Sequence, residues 1–129
     1  MRYEDVQDYI QLQDMFQARC EEVCGLLIPL NDSYKCLYDF EIYSDPDEVF
    51  GEGDEYWEYG GHEHHSQKFP LSFLWEDDEK IKQYVEDELK KREEAKEAER
   101  LRIKKVQEEF QEKRDIEEYE RLKAKFGGV

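Results

Sequence analysis

The chain has 129 residues, 42% of them charged, with a formal net charge of -16 and a mean hydropathy of -1.07. That balance argues against a membrane-embedded protein and against direct binding of nucleic acid or anionic lipid, since a strongly negative field repels both. The charge is unevenly placed: residues 1–75 hold 17 acidic and 4 basic side chains, net -13, whereas residues 76–129 hold 18 and 15, net -3. The sequence therefore divides into an acidic head, 1–75, and a nearly neutral tail, 76–129.

A head of this size buries only about 60% of its unfolded surface, so its core depends on large side chains. Most of the Tyr and Phe and both Trp fall in it. The start of the chain, Met1 to Gln13, is polar and acidic, and the longest apolar run, Leu26 to Leu30, is far too short to span a bilayer. The expectation is a cytoplasmic protein with free thiols at Cys20, Cys24 and Cys36.

From about Glu4 to Cys24 the apolar residues Tyr9, Leu12, Phe16, Cys20, Val23 and Leu27 recur at spacings of three and four, which predicts an amphipathic helix. Gly25 is its expected stop. The cluster Asn31-Asp32-Ser33 reads as a turn. From Tyr34 to Tyr43 the period becomes two, with Tyr34, Cys36, Tyr38, Phe40 and Ile42 on one side, which predicts a half-buried strand. Ser44-Asp45-Pro46-Asp47 reads as the next turn. Shorter strands are expected over Glu48–Glu52, Glu55–Tyr59 and Gln67–Leu71, parted by Gly53-Asp54 and Gly60-Gly61. The fold class is thus α+β, with an N-terminal helix, an antiparallel meander of three or four strands and a long C-terminal helix.

Phe69 to Trp75 forms an apolar hinge expected to seat that last helix, with Asp77 or Asp78 at its N-cap. From there to Phe126 the chain lacks Pro and Gly and is dominated by Glu, Lys and Arg, all good helix formers. Acid-first pairs four apart, such as Glu86 with Lys90 and Glu109 with Lys113, each add roughly 0.2–0.5 kcal/mol. A continuous helix of this span is about 70 Å long, and Gly127-Gly128 ends it. Ile81, Val85 and Leu89 form a first apolar stripe suited to docking on the head. Leu101, Ile103, Val106, Phe110, Ile116, Tyr119, Leu122 and Phe126 form a second, the expected seam for a partner helix or another copy. Heptad phase breaks between Phe110 and Ile116.

Ten carboxylates and no Lys or Arg lie between Asp39 and His65. Within that stretch Asp45, Asp47, Glu48, Glu52, Asp54, Glu55 and Glu58 offer charge, and Trp57 and Tyr59 offer rigid aromatic anchors of the kind that dominate interface energy. Together they predict a face for a basic protein partner. His62-Glu63-His64-His65, with Cys20, Cys24 and Cys36 elsewhere in the head, offers zinc-type ligands. His62 and His64 share a face if they lie on a strand and are the metal-ligand candidates, but the spacing matches no familiar zinc motif, so no metal and no cofactor is expected. No Ser/His/Asp spacing, phosphate-cradling glycine loop or dinucleotide fingerprint is present. The expectation is a non-enzyme.

The stretch Gly51-Glu52-Gly53 through Glu55-Tyr56-Trp57-Glu58-Tyr59-Gly60-Gly61-His62-Glu63 to Phe69-Pro70-Leu71-Ser72-Phe73-Leu74, followed by a charged helix ending Tyr119-Glu120-Arg121-Leu122-Lys123, resembles small bacteriophage and prophage accessory proteins. The likeness covers roughly residues 38–126. It implies a viral effector working in a host cytoplasm and transfers no catalytic or binding residue. Charge and resemblance together predict a protein that binds and inhibits or redirects a host protein, with acidic mimicry of nucleic acid against a defence nuclease as the sharpest form. A structural adaptor that self-associates through its C-terminal helix is the alternative, and a small metal-dependent enzyme built on His62 and His64 is a weaker one.

Overall fold

The computed structural model describes residues 1–45 and 47–127. Its fold is α+β: helix α1 (Tyr3–Leu27), a 3-10 turn η1 (Asp32–Cys36), strands β1 (Asp39–Ser44), β2 (Asp47–Tyr56) and β3 (His62–Pro70), a second 3-10 turn η2 (Leu71–Leu74), and helix α2 (Asp78–Phe126). The strands form an antiparallel meander in the order β1-β2-β3. Chain contacts separate two units, Met1–Leu89 and Lys90–Val129. The expected turn at Pro46 and the helix stop at Gly128 fall partly outside the described residues.

In the first unit, α1 starts where the Asp5 carboxylate accepts a hydrogen bond from the Arg2 backbone N–H at 3.1 Å, satisfying one of the free donors of a helix start. Its apolar stripe is covered only in the C-terminal half. Cys20, Val23, Cys24 and Leu27 are buried with Phe16 packed against them, joined by Tyr34 and Leu37 from the η1 region, Val49, Phe69, Phe73, and Ile81 and Val85 from the start of α2. Tyr9 and Leu12, on the predicted apolar face, are exposed, because the elements that cover the stripe meet α1 only from Phe16 onward. Gly25 does not stop the helix, which continues to Leu27. Burial of Leu27 holds the extra turn, and a side chain on Gly25 would meet nothing within 4 Å.

The expected strand from Tyr34 to Tyr43 is correct only in its second half. Asn31 caps a 3-10 turn instead, its side-chain oxygen accepting from the Ser33 N–H at 2.9 Å. Tyr34 is buried and its hydroxyl donates to the Lys68 carbonyl at 2.8 Å. The period-two pattern from Tyr34 is therefore a tertiary docking of η1 on β3.

Gly53-Asp54, expected to be a turn, is not one. β2 runs unbroken through it, and the two short strands expected there are one. Gly53 is required because the Cys36 carbonyl passes directly over its Cα, so that a Cβ would collide with backbone. The hairpin turn lies later. The Trp57 N–H donates to the Gly61 carbonyl at 2.8 Å, the Gly60 N–H donates to the Trp57 carbonyl at 3.1 Å, and Gly60 takes φ +80°. This is a three-residue loop with glycine at the left-handed position, and it takes Trp57 to Tyr59 out of the strand expected for them.

The apolar hinge behaves as expected. Phe69 and Phe73 are buried with near-parallel rings 6.4 Å apart, and Tyr84 meets Phe73 edge-on at 5.3 Å. Arg19 locks α1 to this hinge, a role the sequence did not signal. Its guanidinium donates to the carbonyls of Leu74 (3.1 Å), Phe73 (3.0 Å) and Glu76 (2.8 Å) and to the Asp78 carboxylate (2.7 Å). These contacts satisfy carbonyls at the end of η2 and hold its pKa above the ordinary arginine value, chiefly through the Asp78 hydrogen bond.

In the second unit, Lys90–Val129, the chain continues α2 to Phe126. Leu101, Ile103, Val106, Phe110, Ile116, Tyr119, Leu122 and Phe126 are all exposed. Pairs three apart, Glu97 with Arg100 and Glu99 with Arg102, line its polar surface.

Candidate functional site

Alternation along the strands and their register sort the acidic stretch onto two faces. One face is turned away from the core. It carries Asp39 and Glu41 from β1, Glu48, Glu52 and Asp54 from β2, and His62, His64 and Lys68 from β3. Asp39 stands directly opposite Glu52, and Asp54 opposite His64. Like charges placed opposite one another destabilise a sheet, so the Asp39–Glu52 pair is a cost that packing does not require. Lys68 lies 3.6 Å from Glu48.

Asp54 is the organised centre of this face. Its Oδ1 lies 2.8 Å from His64 Nδ1 and 3.1 Å from His62 Nε2, and Glu52 lies 3.5 Å from His64 Nε2. The Asp54 backbone N–H donates to the Tyr38 hydroxyl at 3.3 Å. Hydrogen bonding by His64 and then His62 holds the Asp54 carboxyl below the usual carboxylate range. Tyr56 stacks on His62 with ring centroids 5.1 Å apart. His62 and His64 thus share a face, as a strand demands, and that face is the acidic one.

The aromatic anchors sit at one end of the sheet. Trp57 is 49% exposed and Tyr59 99%, and the Trp57 ring lies so close to Gly61 that a side chain there would strike it. Glu58 stands between them in the same loop. Asp45 and Asp47 lie at the other end of β2, about 30 Å away along the strand. The structure therefore does not gather all of the predicted partner residues. Glu48, Glu52 and Asp54 form a patch, Trp57, Glu58 and Tyr59 form a tip, and Asp45 and Asp47 belong to the opposite turn.

Glu55 leaves the patch altogether. Strand alternation turns it to the inner face, where its Oε2 accepts from the Cys36 thiol at 3.3 Å and lies 3.1 Å from His65 Nε2. The other imidazole nitrogen of His65, Nδ1, lies 3.0 Å from Ser33 Oγ, and the His65 side chain is only 11% exposed. The hydrogen bonds from Cys36 and His65 hold the Glu55 carboxyl low, while desolvation and the hydrogen bond to Glu55 push the Cys36 thiol up. Sequence alone singles out neither Ser33 nor, within the His62–His65 cluster, His65. His65 is out of phase with His62 and His64, and that parity was the available signal. Ser33 is brought in by η1, which local patterning did not reveal.

Among the described residues, Cys36, Glu55 and His65 bring three possible metal-ligand atoms within 4.8 Å of one another. Cys20 and Cys24 are buried in the core, and burial pushes both thiols up to about 12. They are packing groups. Among the described residues no helix is long and apolar enough to cross a membrane. Set against family models, curated proteins and solved structures, the chain matches none.

Proposed function

We propose that this is a phage-type accessory protein whose acidic sheet face and aromatic hairpin tip bind a basic surface on a host protein and inhibit or redirect it in the host cytoplasm. The observation that carries the reading is the outer face, where Asp39, Glu41, Glu48, Glu52 and Asp54 project from adjacent strands and, among the described strand residues of that face, Lys68 is the one Lys or Arg, alongside His62 and His64. Holding like charges opposite one another works against the sheet, so a use outside the head is the simpler reason for them. Rows of carboxylates along neighbouring strands suit a groove that otherwise accepts phosphates, and Trp57 and Tyr59 supply exposed aromatic area next to the charge. Acidic mimicry of nucleic acid is the sharper form of the reading.

The test is affinity capture from host lysate with the full chain, at low and high salt. Basic proteins released by salt are the expected catch, because charge-led association is screened by ions. The triple variant Asp39→Lys, Glu52→Lys, Asp54→Lys should lose them. Capture that is indifferent to salt and to this variant would overturn the reading. Glu55→Lys, on the other face, tests charge position as opposed to charge number.

The exposed seam of α2 favours a second reading, an adaptor that self-associates through its distal helix. At 100° per residue, Ile103, Val106 and Phe110 fall within about 60° of one another. Ile116, Tyr119, Leu122 and Phe126 centre roughly on the opposite side. A two-stranded pairing covers one stripe and leaves the other free, so assembly through this helix would engage two surfaces. Sedimentation of the full chain beside Phe110→Glu and Tyr119→Glu separates the cases. A monomer in all three would remove this reading.

A further inference from the structure

We propose that Cys36, Glu55 and His65 form a site for one divalent cation of the zinc class, a staple tying η1 to the β2–β3 hairpin. The inference is independent of the partner-binding reading and uses the opposite face of the sheet. Thiolate, imidazole and carboxylate are the three donor types that zinc takes. In a tetrahedral site with bonds of about 2.0–2.3 Å, neighbouring ligand atoms stand about 3.3–3.8 Å apart. Here Cys36 Sγ and His65 Nε2 lie 3.3 and 3.1 Å from the same Glu55 oxygen, close to that spacing, and all three atoms fall within 4.8 Å.

Two further observations point to a cation. First, His65 is oriented as a ligand. Its Nδ1 lies 3.0 Å from Ser33 Oγ, and a metal-bound histidine characteristically donates its second N–H to such an oxygen, fixing the tautomer. In the tautomer that gives its N–H to Ser33, Nε2 is left to coordinate. Second, Glu55 and Glu63 are direct cross-strand partners, and Glu63 Oε2 lies 3.9 Å from His65 Nε2. Two carboxylates directly opposite destabilise a sheet, and a dication beside them reverses that sign. Glu63 is also near enough to approach the fourth position. Without metal, one Glu55 oxygen accepts from both the Cys36 S–H and the His65 Nε2–H, and His65 Nδ1 accepts from the Ser33 hydroxyl. Binding replaces these contacts: the imidazole proton moves from Nε2 to Nδ1, where it is donated to Ser33, the thiol proton goes to solvent, and the charges of cation, thiolate and Glu55 cancel.

The site differs from the pair suggested by the sequence. His62 and His64 face the other way and bind Asp54. Cys20 and Cys24 are enclosed in the core, which leaves Cys36 as the half-exposed thiol.

The experiment titrates tag-free, chelator-stripped full-length protein with cobalt(II) and then zinc(II). Expected are one equivalent bound, a thiolate-to-cobalt charge-transfer band that zinc bleaches, and a raised melting temperature. Cys36→Ser and His65→Ala should lose the band, while the double variant His62→Ala, His64→Ala keeps it. Ser33→Ala should bind about tenfold to a hundredfold more weakly. To keep the test independent of variant folding, wild-type protein is also alkylated with and without zinc, and protection should map to Cys36 alone. Absence of the charge-transfer band in folded wild type, a band that survives Cys36→Ser, or alkylation of Cys36 unaffected by zinc would each overturn the proposal.

Discussion

Single residues in the head do work that their type does not advertise. Gly53 and Gly25 make the contrast. A Cβ at Gly53 collides with the Cys36 carbonyl, whereas one at Gly25 meets open space inside a helix. Gly53→Ala should therefore cost about 1–3 kcal/mol through displacement of η1, and Gly25→Ala should gain up to about 1 kcal/mol, both read from urea unfolding. Arg19, 20% exposed, satisfies three carbonyls and pairs with Asp78. Arg19→Ala should cost roughly 2–3 kcal/mol, and Arg19→Lys should recover only part of it because an ammonium lacks the planar fork. Asp54 has its folded pKa depressed by His64 and His62. A depressed carboxylate stabilises above its unfolded pKa, and that contribution is lost as pH falls through the folded value. Stability measured from neutral pH downward should thus fall more steeply below about pH 4 in wild type than in Asp54→Asn. An unchanged difference between the two across that range would count against the histidine clamp.

At the level of elements, the helices were more legible than the strands. α2 (Asp78–Phe126) follows from composition: a run without Pro or Gly and rich in Glu, Lys and Arg makes its hydrogen bonds within itself. α1 shows the limit of the same approach. Its stripe is regular from Tyr9 to Leu27, but periodicity says only which side is apolar, and other elements decide how much of it is covered. Residues 3–15 are exposed while Cys20, Val23, Cys24 and Leu27 anchor the core. Amide exchange should therefore be much faster over 6–15 than over 20–27; equal protection in dilute solution would mean that the exposed half is covered by another molecule. The strands depended on reading two glycine signals correctly. Gly60 marks a turn with positive φ, while Gly53 marks a close approach of backbone, and the letter is the same.

For the molecule as a whole, charge divides more sharply at the unit boundary after Leu89 than at Trp75. Residues 1–89 carry net -18 and residues 90–129 net +2. A unit so charged repels itself when compact. Its urea midpoint should rise as sodium chloride increases from about 10 mM to about 300 mM, over which the Debye length falls from about 30 Å to below 8 Å. A midpoint that is flat or falling would mean that the carboxylates are already compensated at low salt.

By itself, the sequence determined the α+β class, the antiparallel meander, the extent of the long helix and the strongly acidic head, because each depends on propensity, periodicity or charge along a few neighbouring residues. The tertiary structure decided how the acidic stretch is divided between the two faces of the sheet. Reading Gly53-Asp54 as a turn hid the parity of β2, and one continuous strand sends Glu52 and Asp54 to one face and Glu55 to the other. The grouping of Ser33, Cys36, Glu55 and His65 depends on η1 crossing the sheet where a glycine lets it pass, and the Arg19 lock on a contact between residues more than fifty positions apart. Local patterns fix which way a side chain leaves its own element; only the packing of elements fixes what it meets.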